Sequence, residues 1–190
     1  MSMKGQKTTA DYLDWFAVQS LYQRLERDGD YTFALLIHIG SYTGLRISDL
    51  LSLKWEHFLG NDSYIITEGK TGKERTLYYH SDTKELVARM NVELNPHPED
   101  YIFLNRFGAV LSQQFINRKL KIINSKYRLG IKYSTHSFRK SFGRRIWSNN
   151  SNSEKSLVLL SQIFNHSSIA ITRRYLGIRE EEIKNVYLSL

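Results

Sequence analysis

The sequence predicts an α+β fold that is mainly α, with a small antiparallel three-stranded sheet. Apolar residues recur at helical spacing along much of the chain. Three short β-prone stretches cluster between positions 55 and 79 around a glycine-bearing turn. The length, 190 residues with 41% apolar content, suits one packed domain with at most a small appendage.

Taken in order, Thr9 to Arg27 reads as an amphipathic helix, with Leu13, Phe16, Ala17, Leu21 and Leu25 on one face. Asp28-Gly29-Asp30 breaks it. Tyr31 to Tyr42 is apolar nearly all round (Phe33, Ala34, Leu36, Ile37, Ile39) and belongs in the core, and Gly44 suits its end. Arg46 begins a short helix that places Asp49 one turn on and turns Leu50, Leu51 and Leu53 inward. Trp55–Phe58, Tyr64–Thr67 and Arg75–Tyr79 are the three strands, and Glu68-Gly-Lys-Thr-Gly-Lys73 is a tight turn with Lys70 at its tip. Asp82 to Val92 is helical, Asn95-Pro-His-Pro98 is a rigid break, and apolar patterning resumes at Tyr101. Ser112 caps a basic helix through Tyr127 whose core face is Phe115, Leu120, Ile122 and Ile123. Ser134 or Thr135 caps the next helix, with His136 in its first turn and Arg139 three residues on, on the same face. Leu157–Phe164 is an apolar helix ended by Asn165, which tolerates the left-handed conformation. Ser167 or Ser168 caps Ile169–Tyr175. The last helix, within 178–190, opens with acids and carries Ile183, Val186, Tyr187 and Leu190 on one stripe. That stripe either folds on its own core or docks elsewhere.

Composition narrows the function. No run of about 18 apolar residues occurs, so no membrane span is expected. The N-terminal stretch Met1–Thr9 lacks the apolar core of a signal peptide. Cysteine is absent, which excludes disulfides and thiolate metal sites. A cytoplasmic protein is the plain expectation. Lys and Arg number 27 against 19 Asp and Glu, a net charge of +8. The excess is uneven: residues 118–145 hold many cations and no acid. A continuous basic surface suits a polyanion, because each phosphate neutralised releases counterions. Arg118, Lys119, Lys121, Lys140, Arg173 and Arg174 are the candidates to meet DNA, with Lys126 beside them.

Arg46 has two compatible roles, a salt bridge to Asp49 or a phosphate clamp oriented by that same Asp49. His136 has no second histidine at i+4 and no HExxH, so a metal-ligand role fits poorly. Tyr175 lies nine positions after His166, behind Arg173 and Arg174.

The ordered set Arg46, Lys70, His136, Arg139, His166 and Tyr175 resembles the catalytic signature of the tyrosine recombinases, or phage integrases. The resemblance runs from about Tyr31 to Tyr175. It implies a tyrosine recombinase catalytic domain over 1–190 and an enzyme cutting and rejoining duplex DNA through a 3′-phosphotyrosyl intermediate. Arg46 and Arg139 would hold the phosphate, and His136 would take the phenol proton. Lys70 would protonate the departing 5′ oxygen, with Lys73 the alternative hairpin lysine, and His166 would give the phosphate a further hydrogen bond. No metal or other cofactor is implied, since cations of the chain do that work. The family also implies a homotetramer on synapsed DNA, with the C-terminal helix docked on a neighbouring subunit and at most weak association without DNA. The resemblance places the protein at the nucleoid. Most members carry an N-terminal DNA-clamping domain, which is expected to be absent here, as in the fimbrial phase-switch invertases or an excised catalytic domain. The rival readings are a type IB topoisomerase or hairpin-forming resolvase, and a non-catalytic DNA-binding module of the same fold.

Overall fold

The computed structural model describes residues 10–190, with the side chains of 179–182 outside the description. The elements in order are α1 (Trp15–Arg27), α2 (Tyr31–Thr43), α3 (Ile47–Leu50), a 310 turn (Trp55–His57), β1 (Ser63–Thr67) and β2 (Glu74–Tyr78). They are followed by α4 (Ser81–Leu94), α5 (Gln113–Lys126), α6 (Thr135–Asn149), α7 (Glu154–Ile163), α8 (Ile169–Leu176) and α9 (Ile178–Leu188).

Helix α2 is the axis of the core. Its apolar residues point in every direction, as a helix surrounded by protein requires, and Phe33 to Ser41 is buried without a break. It packs against α1, α4 and α6. The approach to α6 is close: a Cβ on Gly40 would lie 2.8 Å from the Phe138 ring. Gly44 ends α2 with φ +61, and its N–H bonds the Gly40 carbonyl. A second, smaller cluster (Leu157, Leu160, Phe164, Leu176, Ile178) joins α7 to α8 and lies against α6. The seam between the clusters, where α2 and α7 end, is where the candidate site forms. Among the described residues, no helix is long and apolar enough to cross a membrane.

Several expectations need correction. Helix α1 begins at Trp15, where the Asp14 carboxylate accepts the Ala17 N–H; the expected start at Thr9 lies outside the described residues. Phe16 is 80% exposed rather than in the core. Among the described residues the sheet has two strands, not three: β1 pairs antiparallel with β2 from Ser63↔Tyr78 to Thr67↔Glu74. The stretch 55–58 makes a 310 turn instead. Its N–H groups bond Asp100 and Pro98 carbonyls, and three-residue turns put Trp55 and Phe58 on one side, where both are buried. A single bridge, Lys54 to Tyr101, is what remains of a third strand.

In α5 the buried stripe is Ile116, Leu120 and Ile123, so Phe115 and Ile122, expected in the core, are 42% and 61% exposed. The i, i+4, i+7 spacing of that stripe leaves Ile122 a quarter-turn away. The break Asp28-Gly-Asp30 also holds α5: Asp28 pairs with Lys126 and accepts the Tyr127 hydroxyl at 2.7 Å, while Asp30 meets Lys119 at 3.0 Å. Ile183, Val186 and Tyr187 of α9, and Leu190 just past its end, are 49 to 102% exposed, so the stripe does not fold back on the core. The acids expected in the first turn of α9 fall where side chains lie outside the description.

Candidate active site

Two helix ends create the site. The last carbonyls of a helix lack partners within it and carry the negative end of its dipole, so they attract cations. Here α2 and α7 finish side by side, and two arginines join them through successive carbonyl pairs. Arg75 donates to Thr43 O and, at 3.3 Å, to Ile163 O. Arg139 donates to Gly44 O at 2.5 Å and to Phe164 O at 2.9 Å. Arg46, at the extended cap of α3, adds a third guanidinium by donating to the same Phe164 oxygen at 3.2 Å. Arg139 is buried, lies 4.2 Å over the Phe164 ring, and has its pKa pushed down to about 10 by burial, so it stays charged at neutral pH.

Next to these forks is an open cleft of about 480 Å3 whose walls include Arg46, Lys70, His136, Arg139, His166 and Tyr175. The structure therefore brings all six residues of the sequence motif into one cleft, from positions 129 residues apart at the extremes. Left-handed Asn165 (φ +50) turns the chain between α7 and α8, so that Phe164 O faces the arginines while His166 enters the cleft. The His166 Nδ1 lies 2.9 Å from the hydroxyl of fully buried Thr172. Burial, reinforced by Arg139 and Arg46, pushes its pKa down to about 4, so the ring is neutral at pH 7. When the Thr172 hydroxyl is the donor in this contact, Nδ1 accepts and the single ring proton is on Nε2.

Tyr175 sits in the last turn of α8, its hydroxyl 3.4 Å from the His136 carbonyl. Its ring stands edge-on to Phe164 and His166. Burial pushes the phenol up to about 12, against the pull of Arg139 and Arg46. Exposed His136 has its pKa pushed down by partial enclosure and then by Lys140 and Arg139, which leaves a neutral ring able to accept a proton. Lys70 lies in the turn after β1 and lines the cleft, while Lys73 donates to the Asn165 side chain at 3.0 Å.

The other candidates divide. The expected Arg46–Asp49 salt bridge is replaced by other pairings, although cap and third helical positions could meet: each side chain is held by a different partner. Buried Asp49 instead accepts the Gly69 N–H at 3.0 Å and anchors the lysine turn. Arg46 is paired with Glu68. Lys140, expected on the DNA side, is buried with its ammonium 5.6 Å over the Tyr175 ring. Lys119 is tied to Asp30 and Arg173 to Glu154, whereas Arg118, Lys121 and Arg174 are exposed. Glu68, Arg75 and Thr172 were not anticipated. An acid and an arginine flanking one hairpin turn was the signal available for the first two; Thr172 left none in the sequence.

The crystal structure of XerA recombinase superposes with a TM-score of 0.71 over 94% of this chain and 64% of that one, at 19% identity. XerH recombinase bound to palindromic difH substrate does so at 0.71 over 98% and 55%, at 20% identity. The fold is thus that of the tyrosine recombinases. Residues 11–182 match the phage integrase family, and the chain belongs to it. A probable integrase/recombinase of Bacillus subtilis (strain 168), YoeC, is 29% identical over 171 residues, 90% of each chain. Tyrosine recombinase XerD of Listeria monocytogenes (serotype 4b, strain F2365) is 26% identical over 76% of this chain and 50% of its own. The chain spans nearly all of YoeC and about half the length of that Xer relative.

Proposed function

We propose that the protein is a site-specific DNA recombinase that cleaves and rejoins duplex DNA with Tyr175 as nucleophile. The observation that carries this is the one cleft lined by the Tyr175 phenol and two carbonyl-anchored guanidinium forks. Arg46 and Arg139 bind the nonbridging oxygens of the scissile phosphate and stabilise the added charge of a pentavalent transition state. A phenol pushed up to about 12 is a weak nucleophile at pH 7, so its proton must leave as it attacks. His136 accepts that proton, the Tyr175 oxygen bonds to phosphorus, and the bond to the 5′ oxygen breaks as Lys70 protonates it. His166 donates from Nε2 to the phosphate. The products are a 3′-phosphotyrosyl link and a free 5′ hydroxyl, and attack by a second 5′ hydroxyl reverses the step without ATP. Exposed Arg118, Lys121 and Arg174 contact the DNA backbone.

The unpartnered stripe of α9 supports docking on a neighbouring subunit in a tetramer assembled on synapsed DNA. The work is done on chromosomal DNA in the cytoplasm. The test is covalent capture: nicked suicide duplexes with randomised flanks are incubated with the protein, and SDS-resistant adducts are recovered and sequenced. Wild type and Tyr187→Phe should yield adducts on a defined sequence. Tyr175→Phe should yield none, and Arg46→Ala and Arg139→Ala should form them more slowly by about 100-fold or more. Adducts without sequence preference, with relaxation of supercoiled DNA, would favour a topoisomerase; no adducts at all would leave a DNA-binding module.

A further inference from the structure

We propose that Glu68 is the positioning residue for Arg46, holding its guanidinium with one edge open to the cleft; this rests on the recombinase reading above. Arg46 needs outside support because it stands at the extended cap of a one-turn helix. Two groups supply it, the Phe164 carbonyl at Nη2 and the Glu68 carboxylate at Nη1.

Glu68 is 3% exposed and follows β1 directly. Burying a carboxylate is costly unless it is paired and hydrogen-bonded, and this one is held on several sides. Its Oε2 takes Arg46 and, at 3.2 Å, the Thr71 hydroxyl; its Oε1 lies 3.6 Å from Arg75 Nη1. Arg75 is itself fixed to the ends of α2 and α7. Rigidity therefore passes from two helix ends through Arg75 and Glu68 to Arg46. The Glu68 main chain also closes the lysine turn, accepting the Thr71 and Gly72 N–H groups and donating to Lys73 O. Without Glu68, the Arg46 fork keeps a single neutral acceptor and a long flexible stem.

The test compares two substrates carrying the sequence recovered by covalent capture. One has the natural phosphodiester; the other has a methylphosphonate at the scissile position, whose missing negative charge reduces what an arginine clamp contributes. A residue acting through Arg46 must share its substrate dependence. Glu68→Met keeps the volume and removes the acceptor; Glu68→Gln keeps an acceptor. On the diester, Glu68→Met and Arg46→Ala should each slow adduct formation by about 100-fold or more, the scale of losing one oriented donor. On the methylphosphonate both should fall within about tenfold of wild type on the same substrate, the remainder of that scale being charge-dependent. Glu68→Gln should stay within about tenfold of wild type on the diester, since a neutral acceptor keeps part of the bond. Equal losses by Glu68→Met on both substrates, or a Gln variant as slow as the Met variant, would overturn the role of Glu68 alone. No adduct from the wild type would overturn the recombinase reading and this role with it.

Discussion

Arg75→Met removes a guanidinium that joins α2, α7 and the hairpin while keeping an apolar stem of similar length. Three interactions go: the donations to Thr43 O and Ile163 O and the pairing with Glu68. Each hydrogen bond from a charged donor contributes about 1.5–3 kcal/mol. Breaking a buried ion pair at one partner costs about 3–5 kcal/mol. The Arg75 side chain is 16% exposed and that of Glu68 4%, so solvent screens the pair little. The same charge serves all three contacts, so the contributions overlap, and a loss of about 3–5 kcal/mol is expected. For a domain of this size that lowers Tm by roughly 6–20 °C. Urea unfolding followed by tryptophan fluorescence should show an earlier midpoint with an unchanged slope. Arg75→Lys should recover little, because one ammonium cannot fork between two carbonyls. A loss below about 1 kcal/mol, the size of one ordinary hydrogen bond, would refute the view that these helix ends are held by Arg75.

Thr172→Val leaves the partly buried His166 ring without its Nδ1 partner; stability should fall by about 0.5–1.5 kcal/mol in denaturant titration, and adduct formation should slow. Gly143→Ala would put a Cβ 2.6 Å from Leu176 and 3.1 Å from the Phe164 ring, costing about 1–3 kcal/mol and displacing the helix that carries Tyr175. Because the His136 pKa is lowered, the single-turnover rate should be level near neutrality and fall with acid at a midpoint below about 6.5; His136→Gln should abolish that limb. His38 is buried beside Thr83, with its pKa pushed down to about 3 by burial. The unfolded chain therefore binds a proton that the folded one does not between pH about 6.5 and 3. Stability should fall with acid across that window by up to about 1.4 kcal/mol per pH unit from this group, and His38→Asn should flatten the slope in chemical denaturation.

What the sequence made legible were the features encoded locally. The all-round apolar pattern of 31–42 gave the central helix, and Ser112, Ser134 or Thr135, and Ser167 or Ser168 marked helix starts, of which Ser112, Ser134 and Ser168 are the caps. The six cleft residues were legible through motif order, not through any one of them. Pairings across the fold were not. Asp49 was the nearest acid to Arg46 in sequence, but the acid that reaches it, Glu68, comes from the far end of a strand. Trp55 and Phe58 looked strand-prone as aromatics, but a strand would turn them to opposite faces; the 310 turn that buries both is held by carbonyls 98 and 100, some forty residues on. Lys119, Lys126 and Lys140 looked like free cations because their partners Asp30, Asp28 and the Tyr175 ring lie on other helices or loops.

The most direct measurement is the site of covalent attachment. After capture on a suicide duplex and trypsin digestion, mass spectrometry should find the nucleotide 3′-linked to the peptide running from Tyr175 to Arg179, with a free 5′ hydroxyl on the released strand. Attachment at another tyrosine, linkage through a 5′ phosphate, or no adduct from the wild-type protein would contradict Tyr175 as nucleophile.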